Sequence, residues 1–368
     1  MKIPFVDLQR QYQQHKTEID QAIHEVLDQS NYIGGAKIQS FEEQFAMQCG
    51  TKHCIGVANG TDALYITLKM LGIGEGDEVI TSACSWIATC ETISQTGAKP
   101  VFVDIGQDYL IDVEQIESNI NSSTKAIVPV HLYGQMADMD IIKKIADKHD
   151  LIVVEDSAQA HLADRDGLSV GAVSHAATFS FYPGKNLGAY GDAGGIVTND
   201  DQLAEKCRQF ANHGQLVKHQ HKIEGINSRL DTIQAAVLSV KLKYLLEWTS
   251  QRRNIATHYG EALKAISSLR LPKINTNSNP VYHLYVVSAE NREELQEYLK
   301  SHNISTAIHY PTPLPFLECY QYMSHKKEEF PIAHEESSKI LSLPIFPEMS
   351  TEEVSYVCEH IKHFHDSH

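Results

Sequence analysis

The chain has 368 residues, 42% of them hydrophobic and 21% charged, the balance of a folded globular protein with room for two domains. Its 31 basic and 47 acidic side chains give a formal net charge of −16, which argues against a general nucleic-acid binder, since phosphate backbones need a basic face. No run approaches the roughly 18 apolar residues that span a bilayer, and no apolar stretch follows the charge in Met1-Lys2-Ile3-Pro4-Phe5-Val6-Asp7, so neither a membrane association nor a signal peptide is expected and a cytoplasmic protein is.

Residues 12–29 carry Tyr12, Ile19, Ile23, Val26 and Leu27 at helical spacing. After a glycine turn at Gly34-Gly35, a second amphipathic helix runs through Phe41, Phe45 and Met47. A short apolar strand over 53–58 leads directly into Asn59-Gly60-Thr61-Asp62 and a helix over 63–68. Strand, glycine turn and helix start form an anion site, because free N–H groups and the helix dipole point at the turn. The plainer reading is a helix cap by Thr61 or Asp62.

From residue 78 apolar strands alternate with helices. Strands are predicted over 78–81, 100–104, 126–130 and 151–156, with helices over 86–95, 112–120 and 139–149 between and around them. This pattern means a mostly parallel sheet covered on both faces, with ligands off the carboxyl ends of the strands. Asn59, Asp156 and Lys185 all stand just past such ends. A further apolar run, 176–179, precedes Ser180 and the turn that holds Lys185; a strand over 196–198 and a helix over 202–211 follow. One long helix is predicted from 232 to about 264, then a loop over 272–280, a strand over 282–287, and helices over 292–302 and 351–363. The expected fold is α/β, with a large domain over 1–245 and a smaller α+β domain over 246–368 that begins within the long helix. The seven cysteines are scattered, none as Cys-x-x-Cys, and suit reduced, mostly buried thiols. His219-Gln220-His221 and His363-Phe364-His365 lack carboxylate or thiol partners and read as solvated surface, so no metal is expected.

A lone lysine beside Gly184 and Asn186 is ordinarily a solvated turn residue. Where its ammonium is poorly solvated, however, the neutral amine can condense with a carbonyl. Asp156, 29 residues upstream, can be a helix cap or the carboxylate that keeps a pyridine nitrogen protonated, which is what pyridoxal phosphate needs as an electron sink. Gly60, Thr61 and Ser180 offer phosphate donors, Trp86 a stacking face, and Gln159 a partner for the ring hydroxyl.

The segments Gly60-Thr61-Asp62-Ala63-Leu64, Glu155-Asp156-Ser157-Ala158-Gln159-Ala160, Phe179-Ser180-Phe181-Tyr182-Pro183-Gly184-Lys185-Asn186-Leu187-Gly188 and Gly225-Ile226-Asn227-Ser228-Arg229-Leu230-Asp231 together resemble the DegT/DnrJ/EryC1/StrS family. The opening residues 3–8 and His309-Tyr310-Pro311 resemble it too, so the likeness spans essentially the whole chain. It implies a fold-type-I aminotransferase with a large pyridoxal 5'-phosphate domain, acting on a nucleotide-diphosphate keto-sugar with L-glutamate as amino donor, for amino-sugar and polysaccharide biosynthesis. By this resemblance Lys185 is the Schiff-base lysine and proton carrier, and Asp156 holds the pyridinium. Trp86 stacks on the ring, Gln159 neighbours its hydroxyl, and Gly60, Thr61 and Ser180 hold the phosphate. Asn227 reaches the phosphate from the neighbouring subunit of a homodimer with a shared site, and Arg229, His309 and Tyr310 lie near the sugar. The plain alternative for Arg229 is a salt bridge to Asp231 or another acid. Gln rather than His at 159 leans toward amination at C3 over the alternative C4.

Two departures stand out: Pro315 where many relatives have His, and Leu162 where Gly is commoner. Competing readings are the family's dehydratase branch, whose members carry His in place of Lys185, a regulator that kept the fold, and a non-catalytic sugar-nucleotide binder. The last would not need Lys185 and Asp156 together.

Overall fold

A computed structural model of the chain describes residues 1–367, so His368, the expected end of the small domain, lies outside the described residues. A seven-stranded sheet has the spatial order His53–Val57, Gly194–Thr198, Ala176–Ser180, Ile152–Asp156, Thr124–Val128, Glu78–Ser82, Lys99–Val103. Gly194–Thr198 runs against both of its neighbours, and every other adjacent pair is parallel. The strands read as unbroken apolar runs because helices cover both faces: Ala176, Ala177, Thr178 and Phe179 are all buried. Ile152–Asp156 and Ala176–Ser180 are parallel neighbours with Asp156 opposite Thr178. The carboxyl ends that carry Asp156 and lead into the Lys185 turn are therefore side by side.

The helix after the first strand is Gly60–Met70, and its cap is neither Thr61 nor Asp62 but Asn59, whose side-chain oxygen accepts from Asp62 N at 2.8 Å. The helix expected to begin at Trp86 begins at Ala88, which leaves Trp86 on a loop. The helix expected over 112–120 is a four-residue turn, Val113–Ile116, followed by a 3-10 turn, Glu117–Asn119.

The long helix expected from 232 is two helices, Thr232–Leu242 and Leu245–Leu263. No proline or glycine marks the break; a change of packing partner does. Ala235, Leu238 and Leu242 belong to the core under the large sheet, whereas Ile255, Tyr259 and Leu263 pack in a second core with Leu295, Leu341 and Ile361. That second core also takes in Ile3. The strand expected over 282–287 is Tyr285–Ala289, which joins Leu269–Arg270 and Ile340–Leu343 in a small antiparallel sheet. Within the expected loop 272–280, Ser278–Asn279 pairs with Asp164–Arg165. All seven cysteines are free, and only Cys319 is exposed. No helix among the described residues is long and apolar enough to cross a membrane, and none of their acidic, histidine and cysteine groups form a metal-holding cluster.

Leu162 adopts φ 64°, the left-handed conformation that glycine takes without strain, so the loop after Asp156 keeps a glycine-like course with a leucine in it. Pro315 is buried in the 3-10 turn Leu314–Phe316.

Beneath the end of the central strand lies a fully buried pair, His131 and Glu155, with Nε2 to Oε2 at 2.6 Å. His131 Nδ1 accepts from Ala137 N at 3.1 Å, so Nε2 carries the proton and donates to the carboxylate. Glu155 also accepts from Gly171 N at 3.0 Å and from the Ser174 hydroxyl. His131 N in turn donates to the carbonyl of Asp156 at 3.0 Å. Replacing Glu155 by Ala strands several buried donors, and urea unfolding should report a loss of about 3–5 kcal/mol. A loss below about 1 kcal/mol, the ordinary worth of a single hydrogen bond, would contradict this reading of the pair.

Candidate active site

A cavity of about 490 Å³ opens at the carboxyl ends of these strands. Its wall includes Gly60, Thr61 and Ser180 on one side and Asp156, Gln159 and Lys185 at the floor. Trp86, His309 and Tyr310 complete it. Nine of the residues singled out from the sequence thus share one cavity. Asn227 and Arg229 do not line it. Asn227 is exposed on the segment before Thr232, and Arg229 donates to Asn212 Oδ1 at 3.4 Å rather than pairing with Asp231. Sequence reading missed Ser85, Tyr182 and Asp192, which also line the cavity.

Gly60 and Ser180 are in close contact: a Cβ on Gly60 would stand 2.7 Å from Ser180 Cβ and 3.1 Å from its Cα. Only glycine lets the helix start approach the strand end this closely. The Gly60 and Thr61 N–H groups head the helix and have no intrahelical acceptor, and Ser180 adds a hydroxyl. The three form a cradle for an anion.

Asp156 is 5% exposed. Its Oδ2 accepts from Thr89 Oγ1 at 2.6 Å, and Thr89 is itself 2.7 Å from Ser85 Oγ. Its Oδ1 accepts from Ala158 N at 3.2 Å. The carboxylate is therefore fixed by the first turn of the helix Ala88–Thr96, a contact whose only sequence signal is two hydroxyls four residues apart. Burial pushes the Lys185 ammonium down to about 8, against the pull of Asp156, which favours the charge. Burial and Lys185 together push His309 down to about 4, so its imidazole is neutral near pH 7, and its Nδ1 lies 2.8 Å from Ser342 Oγ. Trp86 is 58% exposed, an open aromatic face with its ring 5.6 Å from that of Tyr310.

The chain matches the model of the DegT/DnrJ/EryC1/StrS aminotransferase family over residues 13–362. It belongs to that family. A protein of Geobacillus stearothermophilus named a pleiotropic regulatory protein is 46% identical over 99% of both chains. A dTDP-3-amino-3,6-dideoxy-alpha-D-galactopyranose transaminase of Aneurinibacillus thermoaerophilus is 46% identical over 98% of this chain and 99% of its own. Among solved structures, DesV of S. venezuelae in complex with a ketimine intermediate superposes with a TM-score of 0.97 at 40% identity, over 99% of both chains.

The family's cofactor, pyridoxal phosphate, fits the residues present. The cradle that a Cβ on Gly60 would fill suits the phosphate, Asp156 the ring nitrogen, Trp86 the ring face, and Lys185 the aldehyde carbon. Only the neutral amine attacks a carbonyl, so below pH 8 the reactive fraction falls as the ammonium forms. The rate at which pyridoxal phosphate bonds to the cofactor-free protein should climb steeply up to about pH 8 and then level, followed by visible absorbance. A rate still climbing tenfold per unit between pH 9 and 10, the behaviour of an unperturbed lysine near pKa 10.4, would contradict a desolvated Lys185.

Proposed function

We propose that this chain transfers an amino group from L-glutamate to the C3 keto group of a nucleotide-linked deoxy- or acetamido-sugar, with pyridoxal phosphate as carrier. The observation that carries this reading is the convergence of a desolvated Lys185, a buried Asp156 and the Gly60–Ser180 cradle on one cavity. The bound cofactor supplies the electron sink and the carbon that bears nitrogen between donor and acceptor. Lys185 Nζ would hold the cofactor, and its amine would take a proton from Cα of the donor and return one to the sugar carbon. Asp156 keeps the ring nitrogen protonated, Trp86 covers the ring face, and Gln159 donates to the ring oxygen. Gly60, Thr61 and Ser180 hold the phosphate, and His309 and Tyr310 face the sugar. Gln159 and the position-3 amino sugar in the name of the Aneurinibacillus thermoaerophilus relative both favour C3. Lys185 disfavours dehydration, and a regulator would have no use for its desolvation. The seven free thiols suit a cytoplasmic enzyme, whose product would feed amino-sugar and polysaccharide assembly.

We also propose a homodimer with shared sites. A nucleotide diphosphate needs cations, yet Lys185 is the sole lysine or arginine on this cavity's wall among the described residues. Asn227 and Arg229 do not line it, and Arg229 Nε is buried without a partner. A second copy would bring both across to the neighbour's cavity. Exposed Tyr32, Ile33, Tyr182, Leu216 and Val217 give such a copy apolar surface to cover.

Incubation with L-glutamate and a panel of 3-keto and 4-keto nucleotide sugars should yield 2-oxoglutarate and a 3-amino product by mass and NMR. A 4-amino product, or none, would overturn the assignment. Lys185→Ala and Arg229→Ala should each be inactive alone. Mixed under conditions that allow subunit exchange, they should recover roughly a quarter of wild-type activity, because half the dimers would hold one intact site. No recovery despite proven exchange would sink the shared site.

A further inference from the structure

Tyr133 does not line the active-site cavity, yet it governs one wall of it. The residue is 8% exposed and stands in the left-handed region, φ 58° and ψ 4°, which is unfavourable for a side chain with a Cβ. Each of its hydrogen-bonding groups is used, and each on a different segment. Its N–H donates to Gln159 Oε1 at 2.7 Å. Its carbonyl accepts from Leu284 N at 3.3 Å. Its hydroxyl donates to the carbonyl of His309. Gly134, at φ 99°, makes this possible: a Cβ there would come within 2.9 Å of His283 N and of Val281 Cγ2.

The direction of each bond has a consequence at the cavity. A backbone N–H can only donate, so the Gln159 atom facing Tyr133 is its oxygen and the NH₂ faces the other way. That NH₂ donates to the Tyr310 hydroxyl oxygen at 3.1 Å. Tyr310 therefore accepts from Gln159 and keeps its own proton for another partner, and its ring lies on the cavity wall.

We infer that Tyr133 is a positioning residue that sets this wall as a row of donors, so that Tyr310 O–H meets an acceptor oxygen of the nucleotide sugar and disfavours a donor there. Tyr133 acts in two ways. Its N–H orients the Gln159 amide, and its hydroxyl holds the backbone from which His309 and Tyr310 project. The inference rests on the function proposed above, in which Tyr310 faces the sugar.

The test is a double-mutant cycle of Tyr133→Phe and Tyr310→Phe in the holoenzyme, with two readouts. One is the half-reaction with L-glutamate, followed by loss of visible absorbance; it depends on Lys185, so failure of the site assignment itself appears there. The other is KM and kcat for the keto-sugar nucleotide. Each single variant should raise the sugar KM about tenfold, the worth of one hydrogen bond, and this loss should exceed any change in the half-reaction rate, which reaches these residues only through Gln159. The double variant should raise KM little beyond the worse single, because Tyr133→Phe frees the His309 backbone that aims the Tyr310 hydroxyl and Tyr310→Phe removes that hydroxyl. A roughly hundredfold rise in the double, meaning independent effects, would overturn the inference. So would an unchanged KM in Tyr133→Phe, or equal losses in both readouts. Should Tyr133→Phe fail to fold, Tyr310→Phe alone still decides: an unchanged sugar KM in that variant overturns the donor role.

Discussion

A lysine ammonium only partly open to water, on the wall of the cavity, is the constraint around which the ends of the large sheet are arranged. Burial lowers its pKa to about 8, and Asp156 limits that fall. Such a group is costly to place, so its loop must be held from several sides. Lys185 N donates to the Tyr182 carbonyl at 2.9 Å, and the buried Asn186 amide donates to the Val281 carbonyl at 3.0 Å. At the far end of the turn, the Gly188 carbonyl accepts from Lys241 Nζ at 2.7 Å. Lys241 is likewise lowered to about 8 by burial, yet its ammonium is engaged with Gly188 and sits 4.4 Å from the Tyr190 ring centroid. Both lysines are lowered by their own burial, but only Lys185 lies on the cavity wall.

The sheet supplies the rest of the arrangement. Parallel neighbours bring Asp156 and the Lys185 turn to one edge, and the single reversed strand, Gly194–Thr198, returns the chain between the cradle strand and the edge strand. The His131–Glu155 pair stiffens the end of the Asp156 strand from below, where no water could substitute for a lost partner. The segment around 281–284 docks on the turn at Tyr133-Gly134 and is gripped by Arg252, whose Nη1 donates to the Tyr282 carbonyl at 3.1 Å and the Ile345 carbonyl at 3.0 Å. The C-terminal residues that carry His309 and Tyr310 are in this way tied to the floor of the cavity.

Much of this was legible in the sequence because its causes are local. Apolar runs ended by Asp156 or by Ser180 announce buried parallel strands, and a glycine between strand and helix announces a close approach. What was not legible depends on distant partners. The break at Lys243-Tyr244 lies in an unbroken helical pattern and arises only because the two halves face different cores. Thr89 as the holder of Asp156, and Tyr133 as the residue that orients Gln159, join positions 67 and 26 residues apart, and neither carries a motif of its own. That Arg229 donates to Asn212 and not to Asp231 needed coordinates, since Asp231 is the near neighbour in sequence and Asn212 stands 17 residues away. Leu162 stands in the left-handed conformation that glycine takes without strain, with its side chain packed against the core of the large sheet.

The central claim is that Lys185, and not the similarly lowered Lys241, bonds to the cofactor. Borohydride reduction of the protein with pyridoxal phosphate, followed by peptide mapping by mass spectrometry, tests it directly. The account predicts one pyridoxyl label per chain, on the peptide that contains Lys185, and no label in Lys185→Ala. A label on Lys241, or an undiminished label in Lys185→Ala, would contradict it.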